Sequence, residues 1–377
     1  MQQVQGSDSG STAAKPGKRR RYRSLFWAIV LIGAGIILLL YNLDVLTASN
    51  MAMLALVWPV LLIGIGVDLL VGRRSLAVGA GVGVVTVGVI IALMLIGPAA
   101  GWISEPEVTT ETLSTPVGQA TSAQVELDLG GYSTNVHALE SATGPERPLL
   151  YATVSHRGAV ELVSEETGGN AKTVVLESKG DRWWWQWLDG EETPPWDVGL
   201  DPGLPLQLKA QTSSGSSVLD LSGLLLAGLE IDSSSGDTSV ILPASGSGPQ
   251  AYPVALEASS GDMEAQAPAG AKFQMSVDMS SGDTEVTLGE DSDVVLVFRG
   301  SSGQFTLDLS AGQAFRLEVQ DVSSGDVKRP SGMVQVSEGN DEDEGIWETQ
   351  GYAAAAHKVS VIIENMSSGS VVIRQGD

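Results

Sequence analysis

The sequence predicts N-terminal transmembrane α-helices followed by an all-β C-terminal domain, a β-solenoid with a repeat of about 21–22 residues or a rolled sheet. Three observations predict it. Long runs near the N-terminus carry no charge. Farther on, a Ser-Ser-Gly turn returns at a nearly fixed interval. Apolar and polar residues alternate on both sides of that turn, so each flank has one buried and one wet face.

Composition bounds the rest. The chain has 377 residues, no Cys and a formal net charge of −24. Disulfides, thiolate metal sites and Cys nucleophiles are excluded, and the charge argues against a nucleic-acid partner. Residues 1–104 hold 8 Lys and Arg against 3 Asp and Glu, a net of +5, whereas residues 105–377 hold 13 against 42, a net of −29. Two different environments are implied.

Residues 1–24 are polar and end in "KPGKRRRYRS". They cannot bury apolar surface and read as a disordered, basic, cytoplasmic tail that also attracts anionic lipids. Residues 25–97 read as a three-helix membrane region. The runs are "LFWAIVLIGAGIILLLY" (Leu25–Tyr41), "MAMLALVWPVLLIGIGVDLLV" (Met51–Val71) and "LAVGAGVGVVTVGVIIALMLI" (Leu76–Ile96). A bilayer core of about 30 Å needs roughly 20 such residues. A cleaved signal peptide is the rival for the first run, but two further spans follow closely. Basic residues precede the first span and Arg73-Arg74 join the second to the third. By the positive-inside rule the N-terminus is cytoplasmic and everything after Gly97 is extracytoplasmic. Asp68 reads as a carboxylate snorkelling to the cytoplasmic surface, with an ion path as the alternative. Gly79 and Gly83 form a small-xxx-small pair that suits close helix approach, within the protein or between copies. Pro59 is expected to kink the second helix. The hairpin "GAGIILLLYNL…WPVLLIGIGVDLLVG" resembles the transmembrane region of LiaI/LiaF-type envelope proteins. The residues that carry the resemblance are Gly35, Asn42, Leu43, Trp58, Pro59, Leu62, Gly64 and Gly66.

Residues 98–118 read as a linker and 119–377 as an extracytoplasmic β-repeat domain. The corner glycines are Gly215, Gly236, Gly261, Gly282, Gly303, Gly325 and Gly369, at intervals of 21, 25, 21, 21, 22 and 44. The last interval reads as two periods with a degenerate repeat between. Such a period signals stacked units, none of which buries its apolar face alone. Each unit is a strand, a corner, a strand and a Pro/Gly-rich return. Weaker copies lie at "VELDLGGYSTNVHAL", "SHRGAVELV" and "VVLESKGDRW". Glycine at the corner implies positive φ or close backbone passage, and the serines are expected to bond their local backbone.

Asp follows the glycine at Asp237, Asp262, Asp283 and Asp326. Stacked about 4.8 Å apart, these carboxylates would repel unless solvated or bridged. One reading is a Ca²⁺ ladder; the other, favoured by Ser216, Gln304 and Ser370 at equivalent places, is a turn residue accepting backbone N–H bonds. In "DRWWWQWLDGEETPPW", Trp183, Trp184, Trp185 and Trp187 read either as a platform for a glycan or partner protein, or structurally as a lid over the open end of the core or an interfacial belt at the bilayer. "NDEDEG" fails the spacing of a calcium loop and reads as a solvated insertion. His137, His156 and His357 are scattered, and no nucleophile elbow, phosphate loop or zinc motif stands out. No enzyme and no cofactor are expected.

The stretch "PPWDVGLDPG…DTSVILP" (Pro194–Pro243) resembles the start of the toast-rack, LiaF-like, adhesin-like group of β-repeat domains, and the resemblance extends over about 195–377. It does so through Trp196, Leu200, Pro202, Pro205, Leu206, Leu208, Gly215, Leu219, Asp220, Leu221, Ser222, Leu224, Leu229 and Gly236. Its closing coil is matched by Gly351, Tyr352 and Gly369. That resemblance implies a non-catalytic envelope domain, and for LiaF-type members restraint of a sensor histidine kinase during cell-wall stress. This chain has three spans where such regulators often have four. Expected partners are membrane lipids, such a kinase or another envelope protein, and cell-wall glycan. The alternatives are a surface adhesin or structural envelope module, and a Ca²⁺-binding repeat protein.

Overall fold

The computed structural model describes residues 25–43, 45–47, 50–51, 53–71, 76–102, 108–168, 170–179, 193–339 and 343–376. They fall into a helical unit and a β unit, taken here in turn.

The helical unit holds α1 (Phe26–Asn42), α2 (Leu54–Val71) and α3 (Leu76–Ala99). By length and composition α2 and α3 can each cross a bilayer; α1, at 17 residues, is apolar but shorter. Most of their apolar surface faces outward, with Leu31, Ile32, Ile63 and Leu70 among the most exposed residues. That is how helices behave when lipid is the solvent. Glycines set the internal contacts. A Cβ on Gly33 would lie 2.5 Å from Val87, and one on Gly83 would lie 3.1 Å from Ile29, so α1 approaches α3 closely. Asp68 is buried, not presented outward as snorkelling requires, because its place on α2 falls on the packed face. Helix α2 runs on through Pro59.

The β unit contains, in chain order, β1 (Thr109–Pro116), β2 (Ser122–Asp128), β3 (Thr134–Ala138), β4 (Pro148–His156), β5 (Ala159–Thr167), β6 (Ala171–Lys179) and β7 (Trp196–Leu200). The regular stretch follows as β8 (Leu206–Thr212), β9 (Ser217–Asp220), β10 (Leu226–Ser233), β11 (Thr238–Ile241), β12 (Tyr252–Ala258), β13 (Met263–Ala267), β14 (Lys272–Met279), β15 (Asp283–Leu288), β16 (Asp293–Gly300) and β17 (Gln304–Leu309). The chain ends with β18 (Phe315–Val319), β19 (Asp326–Lys328), β20 (Val334–Glu338), β21 (Gly345–Glu348), β22 (Val359–Met366) and β23 (Ser370–Gln375). Strand β1 and the end of α3 thus occupy much of the span expected as linker.

Each coil contributes one strand to each of two sheets. One has 11 strands in the order β1-β4-β7-β3-β9-β11-β13-β15-β17-β23-β19; the other has 12 in the order β20-β21-β18-β22-β16-β14-β12-β10-β8-β2-β6-β5. Coil-to-coil pairing is parallel and in register, as in Leu229–Val254 and Thr284–Phe305. The alternating apolar residues meet between the sheets in one continuous core, where Phe298 of β16 stacks on Phe305 of β17 at 4.5 Å.

The two ends depart from sequence order. Coil β2–β3 lies between β6–β7 and β8–β9, and coil β22–β23 lies between β16–β17 and β18–β19. The expected degenerate repeat between Gly325 and Gly369 is instead an antiparallel hairpin, β20–β21, and the Gly369 corner stacks on Gly303. A parallel stack has open edges; here antiparallel strands border three of them, β1 on β4, β5 on β6 and β20 on β21, and the short β19, paired in parallel with β23, borders the fourth.

Candidate functional site

The corner column is the most regular feature of the β unit. A Cβ on Gly261 would lie 2.8 Å from the Gly236 carbonyl oxygen, and one on Gly303 would overlap the Gly282 carbonyl. Gly261, Gly282, Gly303 and Gly369 also have φ between 91° and 119°, where only glycine is unstrained. Gly215 and Gly236 meet the close approach without positive φ, and Gly325 packs on Met366.

The serines depart from expectation. Their hydroxyls donate to the neighbouring coil instead of their own turn: Ser235 Oγ to the Ser213 carbonyl at 2.7 Å, Ser281 to Ser259 at 2.9 Å and Ser302 to Ser280 at 3.0 Å. Coils only about 4.8 Å apart put the next carbonyl within reach of a short side chain. The serines therefore stitch one coil to the next.

Three of the four aspartates stack beside this column. Asp237 Oδ1 accepts the backbone N–H of Asp262 at 3.3 Å, Asp262 Oδ1 that of Asp283 at 3.1 Å, and Asp283 Oδ1 that of Gln304 at 3.0 Å. Each carboxylate thus faces an N–H dipole of the next coil, and exposure to water screens the repulsion within the row. Asp326 is apart: Gln304 and Ser370 intervene, and it pairs with Lys328 at 3.5 Å. Among the described residues no three acidic or histidine side chains form a group that could hold a metal ion.

The row borders an open groove of about 460 Å³ on the outer face of the 11-stranded sheet, lined also by Glu264 and Glu285. These two sit three residues after Gly261 and Gly282, a recurrence visible in the sequence but hidden by attention to the Asp alone. The groove carries five carboxylates and suits a cationic contact surface.

The remaining candidates lie elsewhere. Trp183, Trp184, Trp185 and Trp187 fall outside the described residues, in the segment between β6 and β7. Trp196 is core: it stacks on Tyr132 at 5.0 Å, and its indole N–H donates to the Ser155 carbonyl at 2.9 Å. The three histidines each face one carboxylate: His137 with Asp197, His156 with Glu111 and His357 with Asp293. The acidic insertion is described only from Asp343 onward.

Comparison with known proteins finds two family models in this chain. Residues 25–70 match the LiaI-LiaF-like transmembrane region, and residues 104–264 match the N-terminal domain of toast_rack, DUF2154. No curated protein matches. Among solved structures the chain is similar to a candidate cell adhesion protein from Clostridium sporogenes, at 15% identity over 72% of this chain and 100% of that one, with a TM-score of 0.37.

Proposed function

We propose that this chain, which joins a LiaI-LiaF-like transmembrane region to a toast-rack N-terminal domain, is a non-enzymatic envelope protein that senses or regulates cell-envelope stress through protein–protein contacts of its β unit. The observation that carries this reading is the order of the two matched regions in one chain, membrane anchor first and β repeat second. The charge division supports a topology with the N-terminus in the cytoplasm and the β unit outside: Arg73-Arg74 lie between α2 and α3, and net negative charge dominates after residue 104. Trp58, near the start of α2, and Trp102, just past the end of α3, are both exposed. In that topology both lie at the outer membrane–water interface, where Trp is enriched.

Crosslinking in intact cells, followed by purification through a C-terminal tag, tests the reading. Recovery of a membrane histidine kinase is the expected result. Recovery of cell-wall material or surface proteins alone would move the chain to a second reading, a surface adhesin or structural envelope module. That reading is favoured by the exposed acidic groove, with Trp183–Trp187 as the first segment to mutate. Unchanged responses to cell-wall antibiotics after gene deletion would count against regulation.

A further inference from the structure

Each of the three histidines faces a carboxylate across strands far apart in sequence, but the three are not alike. The side chains of His137 and His357 are 42% and 47% exposed, and each sets one ring nitrogen on its partner, 3.5 Å from Asp197 and 3.1 Å from Asp293. His156, the last residue of β4, has a side chain only 9% exposed, and both of its ring nitrogens meet acceptors. Nδ1 lies 2.8 Å from the Gly158 carbonyl oxygen, and Nε2 lies 3.0 Å from Glu111 Oε1 on β1. A carbonyl oxygen carries no proton, so Nδ1 must bear one. A neutral ring then turns the lone pair of Nε2 toward the carboxylate. Only the imidazolium, with an N–H on each nitrogen, satisfies both contacts.

The contact holds a strand with few other ties. Strand β1 is the first strand after α3 in the chain, and β4 is its one partner in the sheet. Leu113 is its only large apolar side chain. Thr110 bonds Ser155 at 2.9 Å, Thr115 bonds Ser164 at 3.1 Å, and the Pro116 carbonyl accepts from Lys172 Nζ. Around His156 the turn after β4 supplies Arg157, and the β2–β3 corner supplies Tyr132, whose hydroxyl accepts the Arg157 backbone N–H at 3.3 Å. Strand β7 supplies Trp196, which donates to the Ser155 carbonyl. Strand β5 packs Val160 and Leu162 against the core and exposes Glu161, which pairs with Lys179. Among the described residues Glu111 is the carboxylate that meets the ring.

We propose that His156 and Glu111 form a proton-operated clasp on β1: the strand is held while the imidazole is charged and loosens from β4 as the ring loses its proton. Histidine is the side chain that changes charge between about pH 5 and 8. The sign follows from the contacts. Docked β1 offers an acceptor to the second N–H and undocked β1 does not, so docking is favoured at the acid end of that range and declines as pH rises. Release of β1 adds its eight residues to the chain between α3 and the rest of the β unit.

Hydrogen exchange on the full chain in detergent, from about pH 5.5 to about pH 8, tests the clasp once rates are corrected for the intrinsic pH dependence of exchange. The amides of β1 are expected to lose protection about fivefold across the range, a size suited to a half-exposed charged contact, while those of β10 change by less than about twofold. Glu111→Gln is the decisive variant. Its amide accepts from Nε2–H or, turned over, donates to the bare nitrogen, so it serves both forms of the ring. The β1 response should fall below about twofold in it, with the melting temperature retained because Glu111 is half-exposed. Asp197→Asn, at the exposed His137 pair, is the control and leaves the β1 response as it is in the unaltered chain. A response that persists in Glu111→Gln, that β10 shares, that is absent from the unaltered chain, or that shows protection rising with pH would overturn the proposal.

Discussion

The middle of the β unit and its two ends follow different rules. From β8 to β17 five coils stack in the order of the sequence, each corner glycine beneath the next. At each end the coil nearest the terminus, β2–β3 or β22–β23, is tucked one place inward, and the coil outside it comes from farther along or back in the chain. The middle needs only neighbours that match, and a local period supplies that. The ends must also stop the stack, and a terminal coil held between two others is paired on both sides and cannot fray. A local period says that coils stack; it does not say which coil is the neighbour.

The comparison can be broken hardest at the C-terminal end. Deleting residues 356–377 removes β22 and β23, with the buried Val359, Val361, Ile363 and Val371, and leaves β18 and β19 without their parallel partners. The expected result is loss of amide protection and protease resistance from residue 315 onward, a loss above the ~4–5 kcal/mol that single changes rarely exceed. Retained protection in β18 would show that its antiparallel pairing with β21 holds it without β22.

Within the middle, Gly303 and Gly312 separate close passage from backbone conformation. Both have positive φ, 96° and 72°, but only Gly303 lacks room for a Cβ. Gly312→Ala should cost about 1–2 kcal/mol for the left-handed backbone alone. Gly303→Ala should cost clearly more in thermal melts, because the added methyl meets the Gly282 carbonyl.

Asp262 probes the carboxylate row. Asp262→Ala removes the acceptor for the Asp283 amide, at about 1 kcal/mol. Asp262→Asn keeps an oxygen there and should change stability by no more than about 0.5 kcal/mol. Calorimetric titration with Ca²⁺ should give no heat; heat that vanishes in Asp262→Asn would make the row a metal site.

An effect of the same size as that of Asp262→Ala, but dependent on pH, is at Tyr252, whose hydroxyl donates to the Pro243 carbonyl at 2.9 Å. Burial pushes this phenol above its ordinary value. The folded state thus favours the protonated form, so its stabilisation is fully present below pH about 10 and is lost as pH rises beyond it. Melts of Tyr252→Phe should show a loss of about 1 kcal/mol at neutral pH and a shallower decline at alkaline pH.

The sequence shows much of this plainly. The apolar runs mark the helices, and the spacing of Gly215 to Gly303 marks the stacked corners, because both reflect forces acting on residues close in the chain. Strand β1, "TTETLSTP", escapes such a reading because its less exposed positions, Glu111, Leu113 and Thr115, are polar at two of three, so its burial leaves no apolar alternation in the sequence. In the hairpin β20–β21 the outer strand β20 is exposed throughout and β21 is only four residues long, too short to show a period. The carboxylate row could be read from the residue after each glycine, but its acceptor role depends on amides 21 to 25 residues away, which only the stack brings near. The serine bonds between coils are hidden in the same way.

The most direct test of the woven C-terminal end uses cysteine pairs in this cysteine-free chain. Gln304 pairs with Ser370, and Ser370 with Asp326. Neighbouring strands lie about 4.8 Å apart and next-nearest strands about twice that, beyond disulfide reach. Oxidation should close the pairs Gln304→Cys/Ser370→Cys and Ser370→Cys/Asp326→Cys within one chain, and leave Gln304→Cys/Asp326→Cys open. A disulfide between 304 and 326, with none between 304 and 370, would mean that the coils stack in sequence order to the end.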